Sequence, residues 1–223
     1  MSQDVGMANE TTLDGEVLKR IARARENSDS ELSLAGLALG HLPQEIASLT
    51  ALQSLDLGEW GPENPFAVLI ADQRLIQDLQ PLAALTALRS LNLGGYGQLQ
   101  DLQPLAALTA LQSLNLSRCE QLQDLRPLAA LTALRSLNLS RCQQVQDLQP
   151  LAALTALQSL TLGEFEQLDD WDPFAVLTVL QCPIQDLRPL AALTALQSLS
   201  LRGCGRLQDL RPLAFAVPLL FSA

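Results

Sequence analysis

The chain has 223 residues, 48% of them hydrophobic, and a formal net charge of −10 from 24 acidic and 14 basic side chains. That balance disfavours nucleic acid, whose binding depends on basic side chains releasing counterions from phosphates, and it equally disfavours docking on anionic lipid. Leucine supplies 53 of the residues, so a continuous core can be built with only 4% aromatics.

The opening MSQDVGMANETTLDGE carries four acids, no base and no apolar run, the opposite of a secretory leader. Residues 1–13 are expected to form a flexible acidic stretch. Residues 14–28 read as an amphipathic capping helix, with Asp14 at its N-cap and Val17, Leu18, Ile21 and Ala22 on one face. Arg23 and Arg25 complement its C-terminal dipole. It is expected to cover a first strand at Glu31–Leu34.

Repeats follow, over residues 29–212. Leu88, Leu111, Leu134 and Leu157 stand 23 residues apart, and each opens the string L-x-x-L-x-L. A period of roughly 20–29 residues with that spacing marks a solenoid, in which each unit packs only on its neighbours. In Leu111–Cys119, period-2 alternation turns Leu114 and Leu116 inward and Ser113, Asn115 and Ser117 outward, a short strand. After a turn, Asp124-Leu-Arg-Pro127 suits the start of one or two helical or 3₁₀ turns, where the missing proline N–H costs nothing. The unit is too short for a full crossover helix, so the strands must stack parallel with compact turns outside. Two intervals break the period: Leu55 to Leu91 is 36 residues and Leu160 to Leu199 is 39. Each is expected to hold two shortened units, near 60–87 and 173–195, with strands near Ala67–Ala71 and Val179–Cys182. Both contain Pro-Phe-Ala-Val-Leu, at 65–69 and 173–177. Residues 213–223 form an apolar tail, expected to fold back as a cap or to meet a partner or a second copy. Its apolar run, broken by Pro218, is too short to span a bilayer.

The string L-x-x-L-x-L-x-x-[N/C]-x-x-L, with Cys119, Cys142 and Cys204 in its ninth place, resembles the leucine-rich repeat family. That resemblance covers roughly residues 30–215. It implies a curved right-handed α/β solenoid, a horseshoe with a parallel sheet on the concave face and short helices or 3₁₀ turns on the convex face. The tail of each unit, D-L-x-P-L-A-x-L-T-x-L, is similar to bacterial internalin-type repeats, which are usually one residue shorter. The segment ELSLAGLALGHLPQEIASLTALQSLDL resembles the amino-terminal edge of leucine-rich modules in bacterial Roco-type GTPases. No G-x-x-x-x-G-K-[ST] loop occurs in the sequence.

Chemistry finds little support. Cys119 and Cys142 fill one slot in adjacent units, taken elsewhere by Leu37, Trp60, Tyr96 and Phe165, and without a C-x-x-C pair they read as structural rather than metal-binding. Stacking can bring them within disulfide reach, about 5 Å between Cα atoms, but a reducing compartment leaves thiols. The periodic Asp78, Asp101, Asp124, Asp147, Asp170, Asp186 and Asp209 lack the glycine-rich turns of a calcium ladder. An aspartate just before a proline more often binds turn amides at a helix start. His41 is the single histidine, in a turn and expected to be exposed, which removes most nucleophile–base pairs. Asp169 and Asp170 adjoin without reason to share a proton. No catalytic residue, metal ligand or cofactor site is assigned, and no enzyme is expected.

The inner face remains. Its outward positions Ser54 and Asp56, Ser90 and Asn92, Ser113 and Asn115, Ser136 and Asn138, Ser159 and Thr161, Ser198 and Ser200 form polar ladders with few large anchors. Arg118, Arg141 and Arg202 alternate with Glu59 and Glu164 at the strand ends, Arg89 and Arg135 flank the strand starts, and Trp171 leaves the pattern as an exposed anchor or a core residue. The expected role is a cytoplasmic, non-enzymatic module that binds a partner protein, with the Arg118–Arg141 edge meeting an acidic stretch. Nucleic acid and membrane are not expected as partners, and self-association through the apolar tail is a further expectation. Alternatives are the sensor or regulatory half of a multidomain bacterial signalling protein, and a structural repeat without a dedicated ligand.

Overall fold

Strands form wherever the leucine string places two inward leucines around one outward polar residue. They are β1 (Glu31–Ser33), β2 (Ser54–Asp56), β3 (Ser90–Asn92), β4 (Ser113–Asn115), β5 (Ser136–Asn138), β6 (Ser159–Gly163) and β7 (Ser198–Leu201). They stack in chain order into one parallel sheet. This is a computed structural model, and it describes residues 4–37, 39–58, 76–163, 182–201, 203, 204, 207 and 209–213, with side chains from residue 15 onward.

Register follows the sequence copies: Leu91 pairs with Leu114, Leu114 with Leu137 and Leu137 with Leu160. From β2 onward the described units return through 3₁₀ turns with proline near their start, five residues long at Gln103–Ala107 and Arg126–Ala130 and three at Arg211–Leu213. A leucine N–H closes each one by donating to the leucine carbonyl three residues back, Leu108 to Leu105 and Leu131 to Leu128, both at 2.9 Å. A 3₁₀ turn is a compact connector and suits the short return of a 23-residue unit. Sheet rungs stand about 4.8 Å apart while the outer turns are bulkier, so the solenoid curves with the sheet inside.

The core is a column of leucines. In one unit Leu111, Leu114, Leu116, Leu122, Leu125, Leu128 and Leu131 are all buried, together with Cys119. Each such side chain contributes roughly 1.5–3 kcal/mol on burial. Helix α1 spans Asp4–Asn27, which corrects the expected start at Asp14: residues 4–13 continue the helix, no proline interrupts them, and Asp14 lies inside rather than at the cap. Its buried face is Val17, Ile21 and Ala24, spaced by four and then three residues. Leu18, expected on that face, is 40% exposed. Ser28 ends the helix in the left-handed conformation (φ 54°), with Ser28 N–H donating to Arg25 and Asp29 N–H to Ala24. Arg20 donates to the Ser33 carbonyl at 3.3 Å, so the helix occupies an otherwise open strand edge.

The two long intervals do not interrupt the sheet: β2 pairs directly with β3, Leu55 opposite Leu91, and β6 pairs directly with β7, Leu160 opposite Leu199. Among the described residues no further strand enters the sheet at either place, although 36 and 39 residues exceed the 23-residue unit by 13 and 16. The proposed strand near Ala67–Ala71 lies outside the described residues, as does most of Val179–Cys182; Cys182 itself is not in a strand.

Candidate functional site

The sheet face is built by three polar positions per unit, and the structure separates their roles. The strand-start column is a continuous backbone ladder in which Arg89 N–H donates to Gln53, Gln112 to Arg89, Arg135 to Gln112, Gln158 to Arg135 and Gln197 to Gln158, at 2.7–2.8 Å. Next come Ser90, Ser113, Ser136 and Ser159, half-buried on the sheet, with Ser198 exposed at its end. The third column, Asp56, Asn92, Asn115 and Asn138, is mostly structural. Each oxygen accepts the backbone N–H two residues on: Gly58 to Asp56, Gly94 to Asn92, Ser117 to Asn115 and Ser140 to Asn138, all at 2.9–3.0 Å. These side chains turn the chain out of the strand. Asn92 also donates from Nδ2 to Asp56 at 2.8 Å. A Cβ built on Gly58 would collide with the Asn92 side-chain amide, so a larger residue there would have to displace that amide from its rung. The carbonyl oxygens of Asn92, Asn115 and Asn138 are thus engaged by the chain's own turns.

Beyond that turn the chain takes a positive φ. Gly36, Gly95 and Gly203 occupy the position in three units, at φ 75°, 91° and 76°, and Arg118 and Arg141 occupy it in two others, both at φ 60°. A side chain with a Cβ in that region costs on the order of 1 kcal/mol relative to glycine. Both arginines are half-buried on the strand-end margin of adjacent strands. Thr161 is half-buried on β6, where the register shifts between Thr161 and Gly163 as the second long interval leaves. Glu59, Glu164, Trp171, Arg202 and Asp169–Asp170 lie outside the described residues.

The ninth slot explains itself. Its side chain reaches the strand-end leucine carbonyl of the preceding unit: Tyr96 Oη donates to Leu57 at 2.9 Å, Cys119 Sγ to Leu93 at 3.5 Å and Cys142 Sγ to Leu116 at 3.1 Å. A buried carbonyl needs a donor, and in these three units tyrosine or cysteine supplies it. Leu37 holds it in the first unit, which has no preceding unit to satisfy. Burial pushes the Cys142 thiol up to about 12, with a lesser push from Glu120, so it is no nucleophile. Cys119 and Cys142 are unpaired with each other, whereas Cys182 and Cys204 form a disulfide, 4.6 Å between Cα atoms. The expectation of four thiols is corrected: the second long interval leads back to the sheet at Cys182, whose N–H donates to Gly203 beside Cys204.

On the convex side the aspartates do what the proline turns require. Asp78, Asp101, Asp124, Asp147, Asp186 and Asp209 each accept the backbone N–H two residues on, at 2.8–2.9 Å. Hydrogen bonds from Arg126, Arg188 and Arg211 hold Asp124, Asp186 and Asp209 below the usual carboxylate range, Asp209 at about 2. His41 is exposed.

A repeat ladder of this register, unit length and slot chemistry is decisive. The fold is that of a leucine-rich repeat solenoid. A family model described as leucine rich repeats (two copies) matches residues 109–153. Among solved structures the chain is similar to an internalin (inlF) of Listeria monocytogenes, at 28% identity and TM-score 0.56, with 88% of this chain and 61% of that one covered. It is also similar to internalin C2 (inlC2) of the same organism, at 25% identity and TM-score 0.55, with 87% and 81% covered. The leucine-rich repeat chain thus spans less than two thirds of the first of these. No curated protein sequence matches it. Its amino-terminal likeness to Roco-type modules rests on the sequence alone. Among the described residues no helix is long and apolar enough to cross a membrane.

Proposed function

We propose that this solenoid is a non-enzymatic protein-interaction module, holding a partner protein on its sheet face and on the strand-end margin of β4 and β5. Leucine-rich repeat folds of this kind are typically non-enzymatic. The observation that carries the reading is the pair Arg118 and Arg141 at φ 60°, where other units use glycine. Two arginines at a conformational cost, one rung apart on the same margin, support a binding role for that margin. The sheet is already ordered, so a partner loses little additional entropy on docking and modest contacts suffice. Ser90, Ser113, Ser136, Ser159, Thr161 and Ser198 supply the polar floor, Asn92, Asn115 and Asn138 shape it, and Arg118 and Arg141 meet acidic groups of the partner.

Reversing both charges, R118E with R141E, should weaken capture of the partner at least tenfold by surface plasmon resonance, with the circular dichroism spectrum unchanged. Unaltered affinity would dispose of this margin. The cytoplasmic placement expected from the opening residues stands against the Cys182–Cys204 disulfide, because such bonds persist where thiols are not kept reduced. Alkylation at harvest, followed by mass spectrometry, decides between them: two blocked thiols mark an oxidising compartment, four mark the cytoplasm.

A further inference from the structure

We infer that the opposite margin of the sheet, at the strand starts of β3 to β5, is a second anchoring site, and that it takes an acidic segment of the partner through Arg89 and Arg135. The inference rests on the interaction reading above and adds the chemistry of what is bound.

Charge is partitioned in this molecule. Among the described residues of the repeats, Arg126, Arg188 and Arg211 on the convex side are each neutralised by the aspartate two residues earlier, at 2.7–2.9 Å. Arg89 and Arg135 are exposed and have no side-chain partner among the described residues. The remaining rungs of their column, Gln53, Gln112, Gln158 and Gln197, are uncharged donors and acceptors. No acid stands on the face of β3 to β6; Glu31 and Asp56 lie on β1 and β2. In a chain with 24 acids and 14 bases, the described residues of the central sheet face carry no carboxylate, and each of its margins carries two arginines, Arg89 and Arg135 at the strand starts, Arg118 and Arg141 at the strand ends. An acidic segment gains there what the rest of the surface would repel.

The geometry also sets a spacing. Arg89 and Arg135 occupy alternate rungs, because Gln112 bonds to both through the backbone. Two rungs separate their Cα atoms by about 10 Å. A chain laid along the column matches that distance with carboxylates about three residues apart in polyproline II, at about 3.1 Å per residue. A helix matches it at about seven residues, with about 1.5 Å of rise each. Each guanidinium can then take one carboxylate through two parallel hydrogen bonds.

The test is a selection from a random twelve-residue peptide display library against the full chain, with affinities of the enriched peptides measured by fluorescence anisotropy. The inference expects glutamate or aspartate at spacings of three or seven, and a loss of about tenfold in affinity for R89Q with R135Q. R126Q with R188Q, on the convex side, should change nothing. Enriched peptides that bind without acids, or that ignore R89Q with R135Q, would overturn the inference and leave the interaction module standing. A selection that enriches no peptide would overturn both. A DNA oligonucleotide binding as tightly as the enriched peptides would also overturn it, by marking a generic polyanion surface.

Discussion

The block from β3 to β6 and the two junctions that flank it use the same contacts but not the same chain length. Within the block every rung returns after 23 residues, and at the junctions β2 to β3 and β6 to β7 the return takes 36 and 39. The sheet continues through both. The turn Gln44–Ser48 packs on Gln80–Ala84, and Gln149–Ala153 packs on Arg188–Ala192, as the turns of the regular block do. At both junctions strand pairs with strand and turn packs on turn, so the contacts that stack the units persist whatever the length of chain between them. Closing a loop 13 residues longer costs only about 0.4 kcal/mol.

The comparison is sharpened first in the core. Leu137 on β5 is flanked by β4 and β6, while Leu199 on β7 pairs, among the described residues, with β6 alone. Leu137→Ala should destabilise by about 3–4 kcal/mol and Leu199→Ala by about 2 kcal/mol, read from urea midpoints, because the end unit can collapse around the void. Equal losses would mean the solenoid unfolds as one body without position dependence. Next in size is the turn ladder. Asn115→Ala removes the acceptor for Ser117 N–H and should cost about 1 kcal/mol while leaving partner affinity intact; a loss of affinity at constant stability would return Asn115 to the contact surface.

Smaller still is the acid response. The Arg211 guanidinium depresses the Asp209 carboxyl to about 2, from an ordinary value near 3.8. Its stabilising contribution is therefore complete above about pH 4 and is lost as pH falls toward 2. Asp209→Asn should flatten the stability–pH curve in that window alone, and a change near pH 7 would contradict the assignment. The smallest expected effect is the most pointed. Deleting 13 residues within 59–75, which restores a 23-residue unit, should leave the circular dichroism spectrum and cooperative melting in place. Collapse of the fold would show that the interval holds a unit the sheet depends on.

How much was legible follows from what periodicity can express. The leucine positions, the parallel stack, the proline turns and the aspartates before them were readable, because each follows from a residue type at a fixed offset. The direct pairing of β2 with β3 and of β6 with β7 was not, because an apolar run such as Pro-Phe-Ala-Val-Leu does not say whether it enters the sheet. The turn-closing role of the asparagine column was hidden for a related reason. An outward polar residue at a strand end looks the same whether it faces solvent or folds onto its own backbone. The small residue two positions on, Gly58, Gly94, Ser117 or Ser140, is the signal that separates the cases. Cys182 escaped notice as a partner for Cys204 because the long interval removes it from the 23-residue count. Leu18 shows the limit of a helical wheel over one turn and a half: only docking on β1 decides which flank is covered.

The strand-end arginines bear the central claim, that this regular stack keeps a binding margin at the expense of its own stability. Replacing both by glycine, R118G with R141G, relieves two positive-φ positions at once. The account expects the urea midpoint to rise, by about 0.5–1 kcal/mol of stability per site, while partner affinity falls at least tenfold in the same preparation. A double variant that is no more stable and binds as well as the parent would contradict it.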